Sequence, residues 1–128
     1  MRFMSAEHVE AMNEVLLEAP TVRQACARLG RPRVLSYLLT GGPDGEAVHW
    51  TICFDHTIRF LLEEARSPDV RLVGDWKRMI GAVGDSRTGT KTDPGLSMEG
   101  DVTVLAEIEA VLEVGRSVAT IQVEVPAV

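Results

Sequence analysis

The sequence is short of cysteine, of positive charge and of long apolar runs. Cysteine occurs only twice, as Cys26 and Cys53, far from the dense spacing of a secreted disulfide scaffold, so both read as reduced core residues. Basic residues number 13 against 19 acidic ones, for a net charge of -6. Such a balance repels phosphate backbones and anionic surfaces, which excludes nucleic acid as the expected partner. The one basic concentration, Arg23, Arg28, Arg31 and Arg33, reads as a solvated helix face, with a lipid headgroup or an acidic partner as the alternative. No run reaches the roughly 18 apolar residues that span a bilayer. Met1 to Ser5 carries no hydrophobic signal region, so a cytoplasmic protein without stable membrane insertion is expected.

What is present is a globular composition, 45% apolar and 25% charged over 128 residues. Neither disorder nor a fibrous or membrane class is indicated. Without internal repeat, low-complexity segment or linker, residues 1–128 read as a single domain with one core.

The periodicities alternate between helix and strand. Ser5 is placed to cap a helix from Ala6 to about Glu18, with Val9, Met12 and Leu16 at helical spacing. Thr21 followed by Gln24 is a capping-box pattern and Gly30 suits a left-handed exit, predicting a short helix from Val22 to Leu29. Val34 to Leu39 and Ala47 to Asp55, joined through Thr40-Gly41-Gly42-Pro43-Asp44-Gly45, predict a hairpin. In its second strand Val48, Trp50, Ile52 and Phe54 share one face, with His49, Thr51 and Cys53 on the other. Ile58, Phe60 and Leu62 predict a third strand and Val70 to Val73 a fourth, after which Asp75 caps a helix. That helix carries Trp76, Met79, Ile80 and Val83 on one stripe and is expected to exit at Gly84. Asp85 to Gly95 reads as loop, a candidate lid or mouth, and Leu96 to Glu99 as a short strand. Val104, Leu105, Ile108, Val111 and Leu112 form a last helical stripe, ending near Gly115. Val118 to Val125 alternates as a half-buried strand. The expected fold is α+β: a mostly antiparallel five- or six-stranded sheet with amphipathic helices on one face.

In this order the residues resemble the sterol carrier protein type 2 family, in its small bacterial single-domain branch, over roughly residues 3 to 113. Phe3-Met4-Ser5-Ala6-Glu7 resembles the opening into the first helix, and Leu35 to Gly45 the first hairpin. Pro68-Asp69-Val70-Arg71-Leu72, Gly74-Asp75-Trp76 and Met98-Glu99-Gly100-Asp101-Val102 are similar to later landmarks of the family. Two departures stand out. Gly84 to Gly95 is rich in Ser, Thr and Gly where the family has a second helical turn, and the Val118 to Val125 tail is additional.

The resemblance implies a hollow between sheet and helices that holds a fatty acyl chain or sterol-like lipid. Residue chemistry nominates Trp50, Ile52, Phe54, Phe60, Trp76, Met79, Ile80, Val83, Met98, Leu105 and Ile108 as its lining. Methionines there can repack around different ligands. The bland alternative is that these side chains pack on one another as ordinary core.

No catalytic residue, metal or cofactor is expected. Asp55 and His56, with His49 or Arg59 nearby, invite a proton-transfer reading, but Asp is common in turns and a strand reversal is expected there. His49, Cys53 and His56 lack any recognised metal-ligand spacing. Lys91 has no phosphate-loop frame and Ser86, Ser97 and Ser117 no nucleophile elbow. The alternatives to a lipid-binding domain are a pocket enzyme acting on an apolar metabolite, using His49, Asp55 or His56, and an interaction module that makes a homodimer through the tail strand.

Overall fold

Helix α1 (Ala6–Leu17) begins where Ser5 Oγ accepts the His8 backbone N–H at 3.1 Å, the side-chain cap that the sequence predicts. Its buried stripe is His8, Met12 and Leu16, with a histidine where an aliphatic residue would be ordinary. The coordinates are a computed structural model and describe residues 1–126.

Helix α2 (Pro20–Ala27) starts two residues earlier than its capping pattern suggests, with Ala19 at the cap and no side-chain cap bond. Proline explains this: its fixed φ and missing N–H suit the first helical position. The chain then leaves through Gly30 at φ 76° into strand β1 (Arg33–Thr40). Strands β2 (Val48–Phe54) and β3 (Ile58–Leu61) complete the predicted antiparallel meander. Leu62 falls outside β3 and is 38% exposed.

Strand β4 (Val70–Asp75) does not follow β3 in space but lies beside β1, parallel to it. Strand β5 (Ser97–Gly100) adds antiparallel to β4, giving the order β3-β2-β1-β4-β5. The sheet is therefore mixed, with one parallel pair among antiparallel ones. A parallel neighbour requires a crossover, and residues 62–69 supply it over the uncovered sheet face. There Thr51 Oγ1 donates to the Glu63 carbonyl at 2.5 Å and Arg71 Nη2 to the Ala65 carbonyl at 2.9 Å.

The β3 edge is sealed by α1. Asn13 Oδ1 accepts the Phe60 N–H at 2.8 Å and Asn13 Nδ2 donates to the Phe60 carbonyl at 3.0 Å, so one amide side chain stands in for a neighbouring strand. Among the described residues no strand covers the outer edge of β5.

Helix α3 (Trp76–Arg87) starts at Asp75, whose carboxylate accepts the Arg78 N–H at 2.9 Å. It runs through Gly84, and the left-handed glycine lies further on, at Gly89 with φ 88°. Arg87 in the last turn suits the negative end of the helix dipole and donates to the Val123 carbonyl at 2.7 Å.

Helix α4 (Val102–Val118) is capped by Asp101 and passes through Gly115 instead of ending there. The reason is close approach. A Cβ on Gly115 would lie 2.7 Å from Ile58 Cδ1 and 3.6 Å from Leu16 Cδ2, so this glycine lets α4 sit down on β3 and α1. The predicted strand over Val118 to Val125 does not form. Val118 belongs to the helix, and the following segment makes a single bridge, Arg2 with Glu124. Its alternating apolar residues instead serve packing, with Ala119 and Ile121 against one core cluster and Val125 against another.

All four helices lie over the sheet face that bears Leu35, Tyr37, Leu39, Trp50, Ile52 and Phe54. Arg33 ties α4 down, 3.6 Å from Asp69 and 3.4 Å from Glu107. Its guanidinium is thus spent inside the fold, and only Arg23, Arg28 and Arg31 of the basic concentration are exposed. No helix among the described residues is long and apolar enough to cross a membrane.

Candidate apolar site between the helices

On the helix-covered face the strand registers define four cross-strand rows, the lowest of them Ile58, Phe54 and Arg33, and the three above it divide between the helices. Of these three, the lower row, Phe60, Ile52, Leu35 and Val70, is buried beneath Ile108, Val111 and Leu112 of α4. The upper row, Val48, Leu39 and Gly74, is roofed by Trp76 and Ile80 of α3. Gly74 leaves the space that Leu96 enters, since a Cβ there would stand 2.7 Å from Leu96 Cδ2.

The middle row is different. It runs from Trp50 through Tyr37 and Leu72 to Met98. Trp50 is 5% exposed, Tyr37 and Leu72 are half-buried, and Met98 is 39% exposed. The row thus forms an apolar seam between the regions roofed by α3 and α4, closed at β2 and open at the free β5 edge. The two buried clusters on either side are separate, and Met4 and Tyr37 pack against both.

Most of the predicted lining falls within these clusters. Trp50, Ile52, Phe54, Phe60 and Ile108 belong to the first, with Leu105 packed against it. Trp76 and Ile80 belong to the second, with Met79 against it. Val83 is half-buried on α3, and Met98 marks the outer end of the seam. The sequence reading treats them as one convergent lining, whereas the fold divides them, because α3 and α4 cover different rows of the same strands.

The expected hollow is filled here by Tyr37 and by chain-end side chains. Two open depressions lie elsewhere. One, of about 440 Å³, is lined by Met1, Arg87, Gln122, Val123 and Glu124. The other, of about 200 Å³, lies on the opposite sheet face between Thr51, Cys53 and the crossover. None of the predicted lining residues borders either one.

Sequence reasoning missed His8 and Phe3, which close the β2 end of the seam. The Phe3 centroid is 6.0 Å from that of Trp50, and the His8 ring stacks on Trp50 at 6.1 Å with a 22° interplanar angle. Burial, and then the Arg87 charge, hold the His8 imidazole below its ordinary 6.5. A signal existed: His8, Met12 and Leu16 recur every four residues, which puts the imidazole on the apolar face of α1. Tyr37 was missed as well, although it alternates with Leu35 and Leu39. Burial pushes its phenol up from the usual value, so it meets the seam as a neutral hydroxyl.

The proton-transfer candidates lie elsewhere. Asp55 organises the β2–β3 turn, accepting from the His56 N–H at 2.7 Å and pairing with Arg59 at 3.0 Å. Burial alone would raise its carboxyl, but Arg59 and the turn amides hold it below the carboxylate norm. His56 is exposed, and His49 and Cys53 point to the sheet face opposite the seam. Burial also raises the Cys53 thiol, which keeps it protonated and a poor nucleophile at neutral pH.

No family model and no curated protein matches the sequence. Solved structures do. A conserved hypothetical protein from Thermus thermophilus, described as possibly sterol carrier protein, superimposes with a TM-score of 0.57 at 16% identity, over 93% of this chain and 88% of that one. Sterol carrier protein 2 from Yarrowia lipolytica in its apo form gives 0.53 at 16% identity, over 88% and 92%. A ubiquinone synthesis protein described as UbiJ-SCP2 gives 0.52 at 18%, over 86% and 93%. The likeness is one of architecture, spanning nearly the whole of each partner, and it agrees with the landmarks in the sequence: this chain has the α+β fold of the sterol carrier protein 2 domains.

Proposed function

We propose that the chain binds an apolar ligand of the fatty-acyl or sterol-like class, noncatalytically, in the seam between α3 and α4. The observation that carries this reading is the graded opening of the Trp50, Tyr37, Leu72 and Met98 row. The lower row, by contrast, is buried from Phe60 through Ile52 and Leu35 to Val70, and in the upper row Leu39 is fully buried between partly buried Val48 and Gly74. Burial of hydrocarbon is favourable by about 0.8 kcal/mol per methylene, so eight enclosed carbons gain about 6 kcal/mol before ordering costs. Leu72, Met98, Leu105 and Met79 supply contacts without directional demands, which suits broad acceptance of chains. The shared fold supports the same reading, since two of the matched structures are described as sterol carrier proteins in whole or in prospect.

Native mass spectrometry of the purified whole chain after incubation with mixed fatty acids and sterols tests this directly. The expected result is a one-to-one adduct that a fluorescent acyl probe displaces. Absence of any adduct across chain lengths would remove the reading.

A further inference from the structure

The seam is covered by the two ends of the chain, and those ends are fastened to each other. The Phe3 N–H donates to the Glu124 carbonyl at 3.0 Å, and the Glu124 N–H donates to the Met1 carbonyl at 2.8 Å. On either side of this bridge the tail meets both clusters, Ile121 before it packing against the first and Val125 after it against the second. Arg87 grips the tail once more through the Val123 carbonyl. On the amino-terminal side, Met4 lies against both clusters and Phe3 beside Trp50.

His8 ties the amino-terminal turn to α1. Its Nδ1 accepts the Met4 backbone N–H at 3.1 Å, which requires an unprotonated Nδ1 and puts the ring proton on Nε2. Met4 has φ 62°, the only residue other than glycine in the left-handed region among those described. An L-residue adopts that region at a cost, which the turn offsets through the Ser5 N–H and Oγ donating to the Arg2 carbonyl at 3.1 and 2.6 Å and through the His8 bond, the one of the three that a proton can remove.

We propose that the paired chain ends form an acid-releasable latch over the apolar seam, with His8 as its pin. Protonation of Nδ1 turns an acceptor toward the Met4 N–H into a second donor, and the bond is lost. The charged groups facing the imidazole are the Arg87 guanidinium from α3 and the amino end of the chain. Both oppose an added positive charge. Glu7 on α1 and Glu124 on the tail are exposed to solvent, and β2 presents only the Trp50 ring to it. The sign follows from the two states. In the latched state burial and Arg87 hold His8 below 6.5, whereas a released His8 titrates near its ordinary value. The latched state therefore binds fewer protons, is favoured above pH 6.5, and loses ground as the pH falls below it. The latch stands on this geometry alone; only its consequence for ligand access rests on the binding function proposed above.

The test measures amide exchange of Phe3, Met4 and Glu124 in the whole chain at pH 8 and pH 5, corrected for intrinsic rates and compared with core amides of β2. The expected result is a severalfold loss of protection at pH 5 confined to the two ends, and a pH-independent level in His8→Gln. Unchanged protection in the natural chain, or the same acid loss in His8→Gln, overturns the proposal. Should His8→Gln fail to fold, the titration of the His8 ring in the natural chain decides. A midpoint shared with the Met4 and Glu124 amide shifts supports the pin, and separate midpoints overturn it. A fluorescent acyl ester without titrating groups then separates latch from function. Acid opening with increased uptake supports both, and opening with no uptake at either pH keeps the latch and removes the ligand reading. Uptake that ignores the opening removes the latch from the seam.

Discussion

At the scale of single residues, the fold rests on a few side chains whose size or hydrogen-bonding pattern leaves no substitute. Gly115 shows how magnitudes decide a sign. Alanine in its place would gain about 1 kcal/mol of helix propensity. Against that, the new methyl would stand 2.7 Å from Ile58 Cδ1, and Ile58 is fully buried with nowhere to go. Overpacking of this kind costs about 1–3 kcal/mol, so Gly115→Ala is expected to destabilise by about 1 kcal/mol net, with Ile58→Val restoring part of the loss. Urea denaturation of the two single variants and the double variant measures this, and a more stable Gly115→Ala would mean that α4 does not sit on β3 as described. Asn13 and His8 belong to the same class of residue. Each is polar, each faces inward from α1, and each is explained by a backbone group that it satisfies.

Among the elements, every helix and all five observed strands leave a period in the sequence, and boundaries are where the periods mislead. The Val48 to Phe54 alternation is strong because one sheet face is roofed and the other is not. Gly115 looks like a helix end in sequence because a glycine that ends a helix and a glycine that admits a neighbour are the same letter, whereas Gly84 lies inside α3 with room for a Cβ, Val125 Cγ1 being 3.9 Å away. The Val118 to Val125 alternation is real, yet Ala119, Ile121 and Val125 lie on two core clusters while Glu124 alone of the segment makes a β-bridge among the described residues. Sequence patterning also picks out the inward-facing apolar residues but not their division into two clusters, which depends on β4 pairing beside β1 instead of β3. That long-range pairing is pinned at Asp69, whose carboxylate accepts the Val34 N–H at 2.7 Å and whose N–H donates to the Val34 carbonyl at 2.9 Å. Arg33, 3.6 Å from the same carboxylate, joins α4 to it through Glu107. Removing a hydrogen-bond partner of this charged kind costs about 2 kcal/mol, so Asp69→Ala is expected to lower the denaturation midpoint accordingly with an unchanged slope. An unshifted midpoint would show that the crossover does not hold β4 in register.

In the whole molecule four helices cover one sheet face, and α3 and α4 roof separate rows of it, leaving between them an apolar seam that the chain ends lie across. The net charge of -6 bears on partners and solubility, not on the fold. What makes the seam the proposed binding site is that its row carries no charged side chain while access rises from Trp50 toward Met98. The most direct measurement uses the chain's two tryptophans. In a Trp76→Phe background, Trp50 reports alone from the closed end of the seam, and a neutral acyl ligand is titrated against the natural Leu72 and against Leu72→Gln. The account predicts a saturable change in Trp50 emission, with affinity weakened about tenfold in the Leu72→Gln protein, equivalent to about 1.4 kcal/mol. No saturable change with Leu72 present, or equal affinity in both proteins, would contradict it.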